Sequence, residues 1–147
     1  MIEIKKADDG LISELVSFSS RFFDEKWSEV SFLNEIKKSN SAVFCAFYDN
    51  EMVGVVCIEN QFGDGYLHNI AVADNFRRQG IAQKLIDKCC DFMQSNCVEK
   101  MFLEVRMSNT NAVNLYRKCG FETICVRKGF YTNPTEDAYS MILEMKK

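Results

Sequence analysis

The segment "NFRRQGIA", residues 75–82, sets two arginines, a glutamine and a glycine between an apolar stretch, "YLHNIAV", and a helix-periodic one, "QKLIDKCCDFM". A basic, glycine-containing turn at the mouth of a helix can hold a phosphate, because unpaired backbone N–H groups and the helix dipole both favour an anion there. The same residues also fit an ordinary charged turn tightened by Gly80. Glu104 is the second residue that asks for a reason. In "MFLEVRM", strand alternation puts Phe102, Glu104 and Arg106 on one face and Leu103 and Val105 on the other. A carboxylate in mid-strand among apolar neighbours answers either to a nearby lysine or arginine or to a chemical use. Asn109 and Tyr116 are seven residues apart in "SNTNAVNLYRKCG". Seven residues is close to two helical turns, which puts both on one face, roughly 10 Å apart along the axis. Singly, Asn109 also reads as a helix cap and Tyr116 as a core aromatic.

Metal and thiol chemistry fit less well. The seven cysteines, Cys45, Cys57, Cys89, Cys90, Cys97, Cys119 and Cys125, form no C-x-x-C pair, and His68 is the only histidine. No zinc site and no other metal is therefore expected. Most of the cysteines stand where an apolar residue would fit, which reads as reduced core thiols. A cysteine nucleophile would have only His68 to pair with. His68 could act as a base near its unperturbed pKa of about 6.5. On an alternating strand beside Tyr66 and Ile70 it reads instead as a packed side chain.

These residues need elements to hold them. "IEIKK" opens as a strand. "DDGLISELVSFSSRFF" carries Leu11, Leu15, Phe18 and Phe22 at helical spacing, widened by Ile12, Val16 and Phe23. "WSEVSFLNEIKKSN" predicts a second helix capped by Ser28, with Val30, Leu33 and Ile36 facing inward. "AVFCAFY" and "MVGVVCIEN" flank the turn residues "DNE" and predict a hairpin. "GYLHNIAV" is a further strand, followed by a long helix with Ile81, Leu85, Cys89 and Phe92 on its buried stripe and Ala82, Ile86 and Met93 alongside. "KMFLEVRM" is a strand, "SNTNAVNLYRKCG" a short helix stopped by Gly120, and "FETICVRKGFY" and "DAYSMILEM" are closing strands around "TNPTE". The order is β-α-α-β-β-β-α-β-α-β-β. The strand-helix-strand unit through residues 66–106 implies a parallel pair, and the hairpins add antiparallel ones. The fold class is a mixed α/β sheet, mostly antiparallel, of about seven strands covered by about four helices.

At 147 residues, without repeats or linker-like stretches, the chain predicts a single domain over 1–147. No apolar run approaches the ~18 residues of a membrane span, and "MIEIKKADDG" lacks the apolar centre of a signal peptide. A cytoplasmic protein without membrane association is expected. The net charge of −3 argues against non-specific nucleic-acid binding and suits a basic or amine-bearing partner.

"NIAVADNFRRQGIAQKLID" followed by "LEVRMSNTNAVNLYRKCGF" resembles the GNAT superfamily of acetyl-CoA-dependent N-acetyltransferases. The family signature, Gln or Arg, two variable residues, Gly, one variable residue, then Gly or Ala, matches Arg77, Gly80 and Ala82. "LEVRxSNxxAxxLYxxxGF" and the closing "EDAYSM" resemble the RimI group, bacterial enzymes that acetylate the N-terminal alanine of a small-subunit ribosomal protein. They also resemble the catalytic subunit of eukaryotic and archaeal N-terminal acetyltransferases. The resemblance implies acetyl-CoA as co-substrate. It implies a pyrophosphate cradle formed by the amides of Arg78, Gln79, Gly80, Ile81, Ala82 and Gln83, with Arg77 at its edge. Backbone groups of Ile70, Ala71 and Val72 would bind the pantetheine arm and the acetyl oxygen. Glu104 would be the general base, Tyr116 the hydrogen-bond or proton donor to the leaving sulfur, and Asn109 a cofactor contact. Trp27 and Tyr131 would flank the acceptor. Here the chain departs from the group, with Lys26 where proline is common and Phe130 in place of the first of two tyrosines.

The acceptor implied by the resemblance is a protein N-terminus, a ribosomal protein in the RimI group, attacked directly in a ternary complex. Elementary acid–base chemistry favours that acceptor. An α-amine of pKa about 7.7–8.0 is roughly a tenth to a fifth neutral at pH 7, whereas a lysine at about 10.4 has well under a thousandth neutral. A carboxylate base suits the former better. A small-molecule amine, a lysine side chain, or acyl-CoA binding without turnover are the alternatives.

Overall fold

The structure is a computed structural model, and it describes residues 1–145. Eleven regular elements follow in the expected order: β1 (Ile2–Lys6), α1 (Ile12–Phe22), α2 (Glu29–Lys37), β2 (Ser41–Tyr48), β3 (Glu51–Gln61), β4 (Asp64–Val72), α3 (Ile81–Ser95), β5 (Lys100–Arg106), α4 (Thr110–Lys118), β6 (Glu122–Tyr131) and β7 (Glu136–Glu144). The strands form one sheet in the order β1-β2-β3-β4-β5-β7-β6, antiparallel throughout except for β4 and β5. The mixed, mostly antiparallel sheet of seven strands with four α-helices agrees with the expectation.

β2 and β3 are inner strands covered on both faces, which is why their sequences run almost continuously apolar instead of alternating. On one face Val53, Val56, Ile58, Met101 and Leu103 pack against Leu85, Ile86, Cys89 and Met93 of α3 and against Phe121. On the other, Val43, Cys45, Val55 and Cys57 pack against Leu15, Phe18, Phe23 and Phe32. Gly54 on β3 lets α3 approach closely, because a Cβ there would meet Leu85 Cδ1 at 3.1 Å and Ile81 Cγ2 at 3.2 Å. The hairpin between β2 and β3 turns at Asp49 and Asn50, both with positive φ as a tight two-residue turn requires, so Glu51 already belongs to the strand.

Three local expectations need correction. The first helix does not start at residue 8. Asp8 accepts the Gly10 N–H at 2.9 Å and caps a short 3-10 turn, and α1 begins only at Ile12. Ser28 does cap α2, but Val30 is 64% exposed, and Phe32 with Glu35 fills the buried face instead. Leu33 and Ile36 are only partly buried at its margin. The third concerns β4. Cys57 pairs with Asn69 but Ile58 pairs with Leu67, so His68 is an extra, bulged residue and strict alternation fails there.

Candidate active site

The parallel pair carries the main structural consequence. β4 and β5 are registered only at Gly65 with Met101 and Tyr66 with Phe102. Beyond these pairs β4 continues beside β3 to Val72, and β5 continues beside β7 to Arg106. The two strands therefore part, and each leaves one edge without a strand partner. Along this stretch alternate residues face the open edge: Ile70 and Val72 turn their backbone groups away from β3, while Ala71 turns to its β3 partner Val55, and the Val72 carbonyl already accepts from Arg77.

Glu104 lies two residues past the last parallel pair. Its side chain is 21% exposed and accepts a hydrogen bond from Ser140 Oγ at 2.9 Å. Arg127 Nε stands 4.0 Å away on a half-exposed side chain, at the outer limit of an ion pair. A single neutral donor and one distant cation leave the carboxylate lone pairs to spare, so it can still accept a proton or orient a water.

The segment 77–83 has the backbone geometry that an anion cradle would need. Arg78 and Gly80 both adopt positive φ, 63° and 79°, which turns successive amides to one side. Gly80 is the N-cap of the 15-residue α3 and supplies no side-chain acceptor, and the first turn carries no acidic residue. The N-terminal amides and the positive end of the dipole are thus left to an external anion. A Cβ built at Gly80 meets no protein atom within 4 Å, so the space in front of the turn is open. The residues fit a pyrophosphate. Arg77 differs from a free phosphate ligand, since its guanidinium reaches Asp74 at 3.1 Å and the Val72 carbonyl at 3.4 Å. Gln83 binds Asp87 at 2.9 Å and accepts from the Cys119 thiol, and the Ile81 side chain is in the core, so these two can offer only backbone groups.

Tyr116 is buried on α4 and packs edge-on against Phe121, with ring centroids 5.8 Å apart. Burial pushes its phenol pKa well above the usual value, and the neighbouring Tyr131 adds to the shift. It keeps its proton across the physiological range and so has an O–H to donate. Asn109 does not lie on the helix face. It caps α4, with its side-chain oxygen accepting from the Ala112 N–H at 3.2 Å.

Trp27 lies on the α1–α2 connection, half-buried against Phe32 at 5.3 Å and within 6.4 Å of both Phe23 and His68. Its amide donates to Ser19 Oγ at 2.6 Å. Tyr131 ends β6 under the guanidinium of Arg106, 4.4 Å from its centroid. Burial, followed by the charges of Asp24, Glu104 and Glu25, pushes the Tyr131 phenol up to about 12. Three carboxylates thus act on Tyr131, Glu104 among them, and the Arg106 charge opposes them.

Sequence reasoning missed the residues that orient this end. Ser140 aligns Glu104, and Glu136 accepts from the Ser108 N–H at 2.7 Å while facing Arg106 at 3.4 Å. Asp137 accepts from the Gly129 N–H at 2.8 Å. The signal was present, since Glu136, Asp137 and Ser140 are three of the six residues of "EDAYSM". Hydrogen bonds from Ser108, then the Arg106 charge, hold the Glu136 carboxyl below the ordinary carboxylate range. A depressed folded pKa gives stability that is complete above the unfolded value of about 4.3 and is lost as pH falls through the folded value. The melting temperature should fall as the pH drops below the unfolded value of about 4.3, and Glu136→Gln should flatten that fall. An unchanged slope would remove Glu136 from the acid-sensitive set.

The thiols and the histidine fall elsewhere. Cys45, Cys57 and Cys89 are core thiols, and burial pushes Cys45 up to about 12 and the other two well above the usual range. Cys97 and Cys125 are exposed, so the reading of most cysteines as core residues holds fully only for those three. The bulged His68 is not packed into the core. Its Nε2 lies 2.9 Å from Glu59 Oε1, in a group with Glu35 where Lys38 Nζ bridges the two carboxylates at 3.4 and 3.3 Å.

Residues 11–121 match the model of the acetyltransferase (GNAT) family. An N-alpha-acetyltransferase of Saccharolobus solfataricus is 31% identical over 143 residues, covering 88% of this chain and 85% of that protein. A ribosomal protein bS18-alanine N-acetyltransferase of Escherichia coli K12 is 30% identical over 119 residues, 80% of each chain. The crystal structure of the ribosomal-protein-S18-alanine N-acetyltransferase from Escherichia coli superposes with a TM-score of 0.89 at 26% identity, covering all of this chain and 96% of that one. The match over most of the chain makes this protein a member of the GNAT acetyltransferase family, an acetyl-CoA-dependent acyltransferase.

Proposed function

We propose that this protein acetylates a protein N-terminal α-amine, with a ribosomal-protein N-terminus beginning in alanine as the leading acceptor. The observation that carries the reading is the position of Glu104, oriented by Ser140 at the point where β4 and β5 part. The names of the relatives support the same chemistry, one being an N-alpha-acetyltransferase and the other a ribosomal protein bS18-alanine N-acetyltransferase.

Bound acetyl-CoA supplies an acetyl group activated as a thioester. The amides of residues 78–83 would hold its pyrophosphate, and the stretch Ile70, Ala71 and Val72 would border the pantetheine arm, with the outward backbone groups of Ile70 and Val72 the ones able to meet the arm and the acetyl oxygen. Fixed N–H donors at a developing oxyanion lower the barrier because they need no reorganisation. Trp27 and Tyr131 flank the acceptor, whose ammonium is drawn by the carboxylates around Tyr131. Glu104 would take the ammonium proton, directly or through water, leaving the amine neutral to attack, and the second proton, shed as the amide forms, would pass to solvent. Tyr116 would donate a hydrogen bond to the departing thiolate without surrendering its proton, because burial makes it a weaker acid than an ordinary phenol.

The test is release of free CoA from acetyl-CoA with an alanine-starting peptide. Absence of release across a broad panel of peptides and amines would sink the enzymatic reading. Preference for a small amine over every peptide, judged by kcat/KM, would sink the N-terminal one. Tyr116→Phe is expected to lower kcat about 10–100-fold, the worth of one hydrogen bond to a charged group. The fold should tolerate it, since the ring packing against Phe121 remains. An unchanged kcat would remove Tyr116 from the reaction.

A further inference from the structure

Arg106 makes more contacts at this end of the molecule than any role in catalysis requires. Its side chain is only 13% exposed, and its donors are divided among segments far apart in sequence. Nε donates to Asp24 Oδ2 at 3.0 Å on the α1–α2 connection. Nη1 donates to the Pro134 carbonyl at 3.0 Å and to Glu136 Oε1 at 3.4 Å, and Nη2 to the Thr132 carbonyl at 3.2 Å. The guanidinium plane covers the Tyr131 ring. Glu136 extends the link to the residue before the α4 cap through the Ser108 amide.

We propose that Arg106 is the positioning residue that locks the α1–α2 connection and the β6–β7 connection into a single acceptor wall beside Glu104. The inference rests on the acetyl-transfer reading above. The two segments it joins carry Trp27 and Tyr131, the residues assigned to the acceptor, and none of its contacts reaches the cradle at 77–83. Its role is therefore specific to one substrate. A planar fork is required, because four acceptors in different directions and an aromatic face exceed what the three donors of a lysine ammonium can serve. Arg106 also offsets Asp24 and Glu136. That leaves Glu25, and Glu104 with only Arg127 at 4.0 Å, as the carboxylates near Tyr131 where a cationic N-terminus would enter.

Arg106→Lys keeps the charge and removes the fork. It is expected to raise the KM for an alanine-starting peptide about tenfold or more, while the KM for acetyl-CoA stays within about twofold. Without any peptide, amide hydrogen exchange should rise together in residues 24–28 and 130–136, with β2 and β3 unchanged. Exchange that rises in neither segment or in one alone overturns the proposal. So does an acetyl-CoA KM that climbs in step with the peptide KM. The exchange measurement needs no acceptor, so it decides the role of Arg106 even if the wild-type protein turns over no peptide. Should Arg106→Lys fail to fold, Asp24→Asn at an exposed carboxylate is the second variant. It is expected to raise peptide KM and loosen residues 24–28, and unchanged values for both overturn the assignment.

Discussion

Glu104→Gln is expected to lower kcat by about 10²–10⁴, the usual range for loss of a positioned general base. Glutamine matches the carboxylate in shape, and its carbonyl oxygen can still accept the Ser140 hydroxyl. The side chain is partly exposed and makes one hydrogen bond and one distant ion pair, so the fold has little to lose. The acetyl-CoA KM should not move, because the cradle lies on a different element. Residual activity should rise with pH as the acceptor amine deprotonates by itself near its pKa of about 8. In the wild type, Tyr116 should add no alkaline fall below about pH 10, since its shift is upward from the ordinary phenol value. A variant with kcat within threefold of the wild type, on the order expected of a remote ion-pair residue, would return Glu104 to a structural role.

Gly80→Ala separates two effects that usually arrive together. Positive φ makes any side chain at this position costly by about 1–2 kcal/mol. Nothing in the protein lies within 4 Å of the added methyl, so no steric penalty joins that cost. The phosphates, by contrast, would share the space the methyl takes. Losing one charge-assisted amide contact should weaken acetyl-CoA binding about 10–100-fold. Calorimetric titration of acetyl-CoA together with a thermal melt distinguishes the two. A melt shift without an affinity loss would mean that residues 78–83 form only a charged turn.

Most of the scaffold was legible because period and punctuation are local properties. The buried stripe of α3, the Ser28 cap and the glycine-bearing turn at 80 each follow from a few neighbouring residues. Failures came where a residue answered to something distant. Val30 faces solvent because the rotation of α2 is set by Phe32, which packs into the aromatic cluster with Phe23 and Trp27. His68 escaped alternation because a bulge against β3 shifts the register, which no single strand can reveal. Spacing puts Asn109 on a helix face with Tyr116, whereas the helix begins one residue later and Asn109 takes the other role its residue type offers, the cap.

By itself the sequence determined the element order, the mixed sheet, the family, and the identities of Glu104, Gly80 and Tyr116 as residues worth testing. Those features are carried by short-range pattern and by residue type. Only the tertiary structure decided where β4 and β5 separate, that Ser140 aligns Glu104, and that Arg106 joins Asp24 to the β6–β7 connection. Each of these depends on groups 26 to 82 residues apart meeting at hydrogen-bond distance. Strand pairing and side-chain direction set such meetings, and both are fixed only when the whole sheet closes on its two cores.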